Sequence, residues 1–499
     1  MYCMPILTSI GAEVLTKARL FFMKNGTDNF VNFLRKKMTS KVVALVESHS
    51  VSDPRDRLVN KSKVCIKPKT TKEVSIILKE ANRRGVQLVP VGGSTGLVGG
   101  QIAESDHQVS ISLEKMNGIN FSEEDNLVTV QAGAVLADIK KVTSDAGRFF
   151  PLSIASEGSC HIGGNLATNA GGLNVLRYGS IRDLCLGIEA VLPNGNIVSS
   201  MKALTKNNMG FDIKSLLIGS EGTLAVITGA VFKTYPLPID PMTAIISVNK
   251  PAEALNLFNV ASNKFGDTLM AFELMKCTGV DFLNKAGFKV RYPFSKRAPW
   301  IILIDFDVNV ASVNLRVEVE KTLCEFFDKN WVNEIVVSNS LEQKQEFWKM
   351  RELIPSANRR IGSLCSNDIC VPIKKIPEFI KEADQTLMAI SDKIVINCFG
   401  HMGDGNLHYN VFPISEESRE SLEQYRPEII KNINDLVRKF SGSISAEHGI
   451  GRLKSAELKL YEDPGKFNAM LAIKSAIDPK GILNPGVIFN KGSVKLKQV

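Results

Sequence analysis

Three of the six histidines stand in contexts that could support chemistry. The segment NCFGHMGDGNLHYNVF predicts a hairpin, with His401 at its mouth and His408 on the strand that leaves it. In SGSISAEHGIGR, Glu447 and His448 are expected to end a short strand just before Gly449. Two neutral imidazoles and a carboxylate form a ligand set for zinc or another divalent ion, with a coordination position open for a substrate. Hydrogen-bonded turn histidines are the alternative, because this spacing is not a specific metal motif.

The same hairpin and one helix supply further polar candidates. Alternation places Asn410 on the face of the strand that carries His408. The opposite face then carries Leu407, Tyr409 and Val411. Asp404 could be a fourth metal ligand, although an aspartate between two glycines more often shapes a turn. Arg351, in FWKMRELIPSANRR, is a solvated helix charge, a partner of Glu352, or a bidentate clamp for a substrate carboxylate.

PVGGSTGLVGGQ, residues 90–101, contains five glycines, which let backbone N–H groups approach a charged ligand closely. A P-loop would end in Gly-Lys-Ser/Thr and a Rossmann fingerprint would space its glycines differently, so neither fits. The sequence around Ser94 matches a hydrolase elbow, but the following LVGGQI is a poor helix. A glycine-rich surface turn and a nest for a pyrophosphate remain, and the nest is favoured. In such a nest we expect Gly96 at positive φ.

A second glycine-rich run, SEGSCHIGGNLATNAGGLNVLRYGSIRD, covers residues 156–183. Its glycines would let the backbone lie flat against a planar ring, and they are Gly163, Gly164, Gly171 and Gly172. Cys160 and His161 are polar candidates for contacting that ring, and either could equally be structural.

The composition limits the class of protein. A chain of 499 residues can hold two or more domains, and 44% apolar residues are ordinary for a globular protein. The net charge of +9 suits an acidic substrate or an anionic cofactor, whereas nucleic acid is not expected, because basic and aromatic residues do not alternate. The nine cysteines lack the spacing of a disulfide framework or an iron–sulfur cluster, which predicts reduced thiols. No apolar run is long enough to span a membrane. The mildly basic residues 1–41 predict a transit peptide or an amphipathic leader helix.

Patterning predicts the elements that position these residues. TTKEVSIILKEANRRGVQLVP predicts a helix that ends at Gly85 and a following strand, and NLVTVQAGAVLADIKKVTSDAG predicts a strand and a helix that ends at Gly147. Asn194-Gly195 predicts a β-hairpin, and the prolines around residue 238 predict a domain boundary. In the second half, strands alternate with helices expected at 311–329, 341–359, 376–391 and 416–440. That alternation favours a separate α+β domain with helices on one face of its sheet.

A series of segments resembles the FAD-linked D-2-hydroxy acid dehydrogenases, which are flavoproteins of the vanillyl-alcohol-oxidase type. In chain order they are PVGGSTGLVGGQ, GSCHIGGNLATNAGGLNVLRYGSIRDLCLGIEAVLPNG, LLIGSEGTLAVIT, FWKMRE, NDICVPIKKIP, FGHMGDGNLHYNV, SAEHGIGRLK and DPKGILNPG. The resemblance implies an α+β protein with a vanillyl-alcohol-oxidase (PCMH)-type FAD-binding domain and a C-terminal α+β substrate (cap) domain. The implied divisions are a leader or helical segment at 1–50, the FAD-binding domain at 51–238, the substrate domain with the metal site at 239–470, and a segment at 471–499 that returns to the FAD domain.

The resemblance also implies roles for individual residues. Non-covalently bound FAD would be held by Pro90, Gly92, Gly93, Ser94, Thr95, Gly96, Gly99, Gly100, Gln101, Pro151, Gly158, Cys160, Gly163, Gly164, Asn165, Thr168, Asn169, Gly172 and Ile227. A divalent metal, with zinc preferred, would be bound by His401, His408 and Glu447. Arg351 and Asn410 would hold the substrate, and His448 would act as the base.

Two differences from that family bear on the substrate. Members that act on D-2-hydroxyglutarate carry a lysine where this chain has Ser366 and a small hydroxylated residue where it has Pro355. A second carboxylate would lose partners there, and an unpaired buried charge is costly, so D-lactate is the expected substrate. D-2-hydroxyglutarate or glycolate is the alternative on the same fold. A non-catalytic flavin-binding subunit and a serine hydrolase built on Ser94 are more distant alternatives.

The implied partners are a small 2-hydroxy acid and a separate electron acceptor, which could be a quinone, a cytochrome or an electron-transfer flavoprotein. A homodimer is compatible with the sequence. The expected location is the cytoplasm of a bacterium, with membrane association through the acceptor as an option, or the mitochondrion of a eukaryote. The segment VSDPRDRLVNKSK, which begins at Val51, is shorter than its counterpart in the resembling family. We therefore expect the entry to the FAD domain to differ from the family pattern.

Overall fold

The computed structural model describes residues 26–38, 43–45, 51–239, 241–307 and 314–490. Residues 1–25, to which most of the expected leader belongs, lie outside the described residues. Helix α1 covers residues 26–37, and its buried Phe30 and Leu34 pack into a core of the first half of the chain. Within the ranges given above, no helix is long and apolar enough to cross a membrane.

Two sheets build the first half of the chain. The smaller sheet consists of β1 Val43–Leu45, β2 Val64–Ile66, β3 Leu88–Val91 and β4 Val109–Ser112. Across this sheet the strand order is β1–β2–β4–β3. The larger sheet consists of β5 Ile119–Ser122, β6 Leu127–Gln131, β8 Cys185–Val191, β9 Ile197–Ser199 and β10 Val226–Lys233. Its order is β5–β6–β10–β8–β9, and a separate short ladder pairs β7 (Arg148–Phe149) with β11 (Tyr235–Pro236).

Local sequence signals correctly predict where the main elements of this half end. Helix α2 (Thr71–Arg84) has Thr70 as its N-cap and Gly85 as a left-handed C-cap, so its predicted end is confirmed. Helix α3 (Leu136–Asp145) ends two residues before Gly147, which has a φ of 69°. Asn194 and Gly195 connect β8 to β9 as the predicted hairpin. The remaining helices are α4 Ile162–Thr168, α5 Val175–Tyr178, α6 Ile181–Leu184 and α7 Ile213–Leu217.

One seven-stranded sheet builds the second half. Its strands are β12 Met242–Val248, β13 Leu269–Lys276, β14 Trp300–Phe306, β15 Glu334–Val337, β16 Cys365–Cys370, β17 Ile394–His401 and β18 Asn406–Pro413. They are antiparallel in the order β15–β12–β14–β13–β17–β18–β16. β17 and β18 form the predicted hairpin around a short 3-10 turn at Met402–Asp404, and Phe399 pairs with His408 across it.

Helices cover both faces of this sheet, so the expectation of helices on one face is wrong. One face packs against α8 Pro251–Phe265, α10 Leu315–Asp328, α12 Ile376–Ile390, α13 Glu416–Glu423 and α14 Arg426–Lys439. The opposite face packs against α9 Thr278–Lys285 and α11 Leu341–Ile361. The physical reason lies in β12 and β14, in which every residue is buried, because their side chains are mostly apolar on both sides of the sheet.

The single helix expected at 416–440 is two helices, α13 and α14. Pro427 stands in the first turn of α14, where its missing N–H group is harmless, but it could not continue a helix that began at Glu416. The helix expected at 311–329 begins at Leu315, and residues 311–313 lie outside the described part of the chain.

The C-terminal residues lie against the first half of the chain. They form α15 Ser455–Tyr461 and α16 Pro464–Ile477, followed by an irregular segment. In that segment the carbonyl of Ile482 accepts the N–H of Leu88, and the N–H of Asn484 donates to the carbonyl of Leu88. The glycine-rich loop that follows β3 therefore lies next to residues from the far end of the sequence.

Candidate active site

The glycine-rich loop 90–101 leaves β3 and lies against the second glycine-rich run. A Cβ on Gly93 would lie 2.0 Å from the carbonyl oxygen of Ser159, so the two backbones can touch there only because residue 93 is glycine. Among the five glycines of this fully described loop, only Gly99 has a positive φ, at 75°. The expectation for Gly96 is therefore wrong. A Cβ on Gly96 would instead face the Oε1 atom of Gln101 at 3.1 Å.

A hydrolase elbow needs a helix directly after its serine. Described residues 92–108 contain no helix, so Ser94 lacks the strand–turn–helix context of a nucleophile. Ser94 does have a φ of 56°, which is uncommon for a residue with a side chain. Here that conformation bends a loop over a cavity.

A cavity with an empty volume of about 950 Å³, open to solvent, lies between this loop, α4 and β10. The predicted flavin-binding residues that line it are Pro90, Gly92, Gly93, Ser94, Thr95, Gly96, Gly100, Gln101, Cys160, Gly163, Gly164, Asn165, Thr168 and Ile227. Those outside its lining are Gly99, Pro151, Gly158, Asn169 and Gly172. The Oδ1 atom of Asn165 and the Nδ1 atom of His161 are buried in its wall without a hydrogen-bond partner among the described residues. A glycine-lined cleft whose wall holds unsatisfied polar atoms suits a cofactor such as FAD, which binds through many backbone and polar contacts.

Glu221 connects this cavity to the last glycine-rich turn of the chain. Its buried carboxylate accepts hydrogen bonds from the backbone N–H groups of Ile450 and Gly451, each at 2.7 Å. Burial raises the pKa of Glu221 to about 7, although these two donors favour the ionised form. The attached turn brings His448 into the wall of the cavity.

Glu447 and His448 lie in a turn, so the strand expected there is wrong. Asp368, on the edge strand β16, holds this turn. Its Oδ2 atom accepts the backbone N–H groups of Glu447 and His448, each at 2.9 Å. Its Oδ1 atom accepts a hydrogen bond from the side-chain amide of Asn406, also at 2.9 Å. Because a side chain satisfies these backbone donors, the turn needs no strand partner.

Two imidazoles and two carboxylates meet at this turn, and their ligating atoms lie within 4.8 Å of one another. The Oε1 atom of Glu447 is 3.5 Å from Nε2 of His408 and 3.8 Å from Nε2 of His448. Asp368 faces the other side of both rings, at 3.8 Å from Nδ1 of His408 and 3.5 Å from Nδ1 of His448. Burial lowers the pKa of His408 well below its usual value, which favours the neutral ring that metals bind. A Cβ on Gly171 would lie 3.9 Å from Oε2 of Glu447, so the second glycine-rich run borders this cluster.

Asp368 is better suited to orient the imidazoles than to bind a cation. Its two oxygens already accept hydrogen bonds from Asn406 and from two backbone N–H groups. A carboxylate behind a ligating histidine is the usual outer support of a metal site, since it fixes the ring and its tautomer. The atoms that remain to face a cation are the Nε2 atoms of the imidazoles and the carboxylate of Glu447.

His401 stands beside this cluster rather than within its 4.8 Å group. The centroid of its ring is 5.7 Å from that of His408. Its Nδ1 donates to the buried carboxylate of Glu273 at 2.6 Å, which leaves Nε2 for another contact. Burial disfavours the charged ring, but Glu273 outweighs burial and raises the pKa of His401 to about 9. Glu273 therefore supports His401 as Asp368 supports His408.

Arg351 is buried and pairs with Glu273, so the interpretations as a solvated charge and as a partner of Glu352 are both wrong. Its Nε donates to Glu273 at 2.6 Å, and its guanidinium carbon lies 4.8 Å from the centroid of the Phe399 ring. No other group of this side chain makes a hydrogen bond to a described residue. Its two terminal nitrogens are therefore available for an anion.

Asn410 lies on β18 between Ser366 of β16 and Asn397 of β17, and the three residues form a row across the sheet. The amide of Asn397 donates to Asn358 of α11 at 2.8 Å, so this helix covers the row. Pro355 is exposed on the same helix, one turn after Arg351.

Asp404 shapes the turn between β17 and β18. Its Oδ1 atom accepts the N–H of Asn406 at 3.3 Å, and it does not belong to the four-residue group of the described chain. Burial raises the pKa of Asp404 to about 7. These contacts favour the turn interpretation over a fourth metal ligand.

Sequence reasoning missed three of these acidic residues, although each carried a signal. Glu273 interrupts the apolar strand AFELM, Glu221 stands in the apolar LLIGSEGTLAVIT, and Asp368 alternates with Ser366 in CSNDIC. A carboxylate within a buried strand or turn needs a hydrogen-bonding or charged partner, so its position in an apolar segment marks it as a candidate residue of a functional site.

Two described protein families match this chain. The FAD binding domain matches residues 62–200, and the C-terminal domain of FAD linked oxidases matches residues 238–488. The chain is 35% identical to the mitochondrial D-2-hydroxyglutarate dehydrogenase of Arabidopsis thaliana over 429 residues, which cover 85% of this chain and 74% of that protein. It is 34% identical to the D-2-hydroxyglutarate dehydrogenase of Stutzerimonas stutzeri over 426 residues, which cover 85% and 90% of the two chains.

Solved structures show the same fold at lower identity. One is p-cresol methylhydroxylase with substrate bound, with a TM-score of 0.71, 15% identity, and coverage of 93% of this chain and 97% of that chain. Another is alkyldihydroxyacetonephosphate synthase, with a TM-score of 0.69, 18% identity, and coverage of 92% and 84%. The expected vanillyl-alcohol-oxidase type of fold is therefore confirmed.

Proposed function

Because this chain belongs to the FAD-linked oxidase family, which includes the D-2-hydroxyglutarate dehydrogenases, we propose that it oxidises D-2-hydroxyglutarate to 2-oxoglutarate. It is an FAD-dependent oxidoreductase that acts on a CH–OH donor. The D-lactate preference expected from the sequence has less support, because the relatives carry the name of its alternative. One observation carries the proposal. His448 lines the flavin cavity and also belongs to the cluster of imidazoles and carboxylates.

The flavin would be held mainly by backbone groups of the two glycine-rich runs. Bound there, FAD supplies the acceptor for the hydride that leaves Cα of the hydroxy acid. Asn165 and His161 offer a buried acceptor atom and a buried ring nitrogen toward it. The close approach at Gly93 keeps the loop and the second run together and so shapes the cleft.

A divalent cation, with zinc preferred, would be bound by His401, His408 and Glu447. Such an ion supplies Lewis-acid stabilisation of the substrate alkoxide. Two imidazoles in their neutral form and a carboxylate match the donors that zinc prefers, and a bound ion would displace the proton that Glu273 favours on His401. Support for this set comes from the paired carboxylates, since Glu273 holds Nδ1 of His401 and Asp368 faces Nδ1 of His408.

His448 is the proposed base for the hydroxyl proton. Its ring is held between Asp368 at Nδ1 and Glu447 at Nε2, at 3.5 and 3.8 Å. An imidazole held in this way can take the hydroxyl proton as a general base and pass it to solvent. Arg351 and Asn410 would hold the substrate, because the terminal nitrogens of Arg351 have no partner in the described part of the chain.

The reduced flavin must pass its electrons to a partner. The described cysteines are all free thiols, and their spacing in the sequence does not match that of an iron–sulfur cluster. A separate acceptor, such as a quinone, a cytochrome or an electron-transfer flavoprotein, is therefore part of the proposal.

A panel of hydroxy acids tests the proposed substrate. With an artificial electron acceptor, kcat/KM for D-2-hydroxyglutarate should exceed that for D-lactate and glycolate by about tenfold or more, which corresponds to one charge-assisted hydrogen bond to the distal carboxylate. L-2-Hydroxyglutarate serves as the stereochemical control and should be oxidised poorly. A wild-type enzyme that prefers D-lactate would instead favour the reading based on Ser366 and Pro355.

Asp368 should affect metal affinity without being a ligand. Asp368→Asn keeps the size of the side chain but removes the charge behind two imidazoles, and loss of such a support typically weakens metal binding about 10- to 100-fold. The dissociation constant for zinc, measured by chelator competition, checks this. Asp384→Asn is the matched control. The carboxylate of Asp384 accepts a hydrogen bond from Tyr409, which follows His408 on β18 and so faces the opposite side of the sheet. Equal zinc affinity in wild type and Asp368→Asn would contradict the assignment.

A further inference from the structure

The turn that carries His448 is held by two buried carboxylates, one from each half of the chain. Asp368, on β16, accepts the backbone N–H groups of Glu447 and His448, each at 2.9 Å. Glu221, in the turn before β10, accepts the backbone N–H groups of residues 450 and 451, each at 2.7 Å. Hydrogen bonds to an ionised carboxylate are short and strong, so the turn is fixed from both sides.

The backbone of Glu221 is part of the wall of the flavin cavity. Its N–H donates to the carbonyl of Ala167, in α4, at 2.7 Å. Its carbonyl accepts the side-chain amide of Asn484 at 2.8 Å, and the same amide donates to the carbonyl of Gly100 at 3.0 Å. Glu221, Asn484 and Gly100 all line the cavity. The position of Glu221 is therefore set by the helix and the glycine-rich loop that surround the proposed flavin site.

The contact between Glu221 and the turn requires special backbone conformations on both sides. Glu221 has a φ of 50°, which is uncommon for a residue with a side chain. Gly449 has a φ of 83°, and a Cβ there would lie 2.9 Å from Oε1 of Glu221. Gly451 has a φ of 54°, and a Cβ there would lie 2.0 Å from the carbonyl oxygen of Val98. Such conformations persist where the surrounding structure fixes them, and here they bring the turn against the carboxylate and the loop.

A buried carboxylate is a costly way to join two parts of a protein, because an apolar contact of similar size would stabilise them without the loss of hydration. What the carboxylate of Glu221 adds is direction. Two N–H groups that point at its two oxygens fix the turn in position and orientation, and His448 is only two residues before the first of them. Placement of a reacting group matters to about 1 Å, since an error of that size can cost about 100-fold in rate.

We propose that Glu221 is a positioning residue, which places His448 relative to the flavin cleft while Asp368 places it relative to His408. The inference rests on the proposed function, in which His448 is the base. That reaction sets two requirements for one imidazole, because it must reach the hydroxyl held by the metal ligands and stand beside the cofactor that accepts the hydride. A separate support from each half of the chain meets both requirements.

Glu221→Gln tests the proposal in the flavin-loaded enzyme. The amide keeps the size of the side chain, but only one of its two polar atoms can accept a hydrogen bond from the turn. The rate of flavin reduction by D-2-hydroxyglutarate, measured without oxygen in a stopped-flow instrument, should fall about 10- to 100-fold. Flavin content and zinc affinity should stay close to those of the wild type. Amide hydrogen exchange at residues 450 and 451 gives a readout that needs no substrate, and it should become faster.

Glu189→Gln is the matched control. Glu189 is another carboxylate of the first half, it accepts a hydrogen bond from Thr228 at 3.1 Å, and it belongs neither to the lining of the cavity nor to the cluster. This variant should leave the rate of flavin reduction and the exchange at residues 450 and 451 unchanged. All rates are compared at about pH 8, above the pKa of about 7 that burial gives Glu221, so that its carboxylate is ionised.

A double-mutant cycle separates positioning of the base from general stabilisation. If Glu221 acts through His448, then Glu221→Gln should change the residual rate of His448→Ala by less than about threefold. An equal loss in the two backgrounds would show that Glu221 does not act through the imidazole, and it would overturn the proposal. Loss of flavin from Glu221→Gln would also overturn it, because the carboxylate would then support the cleft itself.

Gly449→Ala disturbs the same contact from the side of the turn and leaves the cavity wall intact. Its Cβ would press on Oε1 of Glu221, so it should also lower the rate of flavin reduction while flavin and zinc are retained. Wild-type rates in both Gly449→Ala and Glu221→Gln would overturn the role of Glu221.

The outcomes also separate this inference from the proposed function. A wild type whose flavin is reduced faster by D-lactate than by D-2-hydroxyglutarate contradicts the proposed substrate, and the cycle is then measured with D-lactate, where the same result is expected for Glu221. A wild type whose flavin neither acid reduces overturns both. Reduction by D-2-hydroxyglutarate with no effect of Glu221→Gln overturns the positioning role alone.

Discussion

Gly93→Ala should give a folded protein that purifies with little or no flavin. The added Cβ would lie 2.0 Å from the carbonyl oxygen of Ser159 and 2.9 Å from Cα of Cys160, and these are backbone atoms that no side-chain rotation can move. One wall of the cleft must therefore shift. If the shift breaks two or three backbone hydrogen bonds to the cofactor, each contributing about 0.5–1.5 kcal/mol, FAD should bind about 5- to 2,000-fold more weakly. The ratio of flavin absorbance to protein in the purified variant measures this.

Gly158→Ala is the matched control for that result. Gly158 is exposed in the same run, a Cβ there would meet nothing within 4 Å, and the residue does not line the cavity. This variant should keep its flavin. Gly96→Val should be milder than Gly93→Ala, because its first contact is the flexible end of Gln101 and its φ is not left-handed. Full flavin absorbance in Gly93→Ala, at an unchanged melting temperature, would show that the loop does not hold the cofactor.

The features that sequence patterns predicted well are local ones. The capped helix that ends at Gly85, the hairpin at Asn194-Gly195 and the hairpin that presents His401 and His408 each depend on residues close together in the chain. Turn and cap preferences act over a few residues, so they can be inferred without knowing the fold.

The supports of the site could not be inferred in this way. Glu273 meets Arg351 and His401 across β13, α11 and β17, and Asp368 meets the turn at Glu447 from a strand far away in sequence. Side-chain pairing over such separations depends on the strand order β13–β17–β18–β16, which follows no local rule. The position of each carboxylate within an apolar segment was an available signal that the sequence analysis missed, and no local pattern could have named its partners.

The expected substrate shows the same limitation. The D-lactate expectation compares single positions, Ser366 and Pro355, with the resembling family. Such a comparison takes the absence of a lysine at position 366 as the absence of any cation for the second carboxylate. In the fold, Arg351 is buried on the same helix as Pro355, and its two terminal nitrogens remain available for a second carboxylate. Its position depends on the tertiary contact with Glu273, which no comparison of single positions could reveal.

His408→Ala should remove both the metal and nearly all turnover. The Nε2 atom of His408 is 3.5 Å from Glu447, and its Nδ1 atom is 3.8 Å from Asp368. In the variant both carboxylates remain, but the proposed site has lost one of its imidazole ligands. Lewis-acid stabilisation is worth several kcal/mol, so its loss should lower kcat by about a thousandfold or more. Metal content by elemental analysis and kcat with an artificial acceptor should fall together. Added zinc should restore neither, because the ligand itself is missing.

His448→Ala separates the base from the ligands. Removing a general base typically lowers kcat about 10²- to 10⁴-fold, yet the proposed ligands His401, His408 and Glu447 remain in this variant, so its metal content should stay close to that of the wild type. His107→Ala removes an imidazole that lies beside Asp106 and belongs neither to the lining of the cavity nor to the cluster, so it should change neither quantity. If His448→Ala lost its metal as completely as His408→Ala, then His448 would be a ligand, and the proton would need another acceptor. If His408→Ala kept both metal and turnover, the cluster would have no metal role, since its most central imidazole would be dispensable.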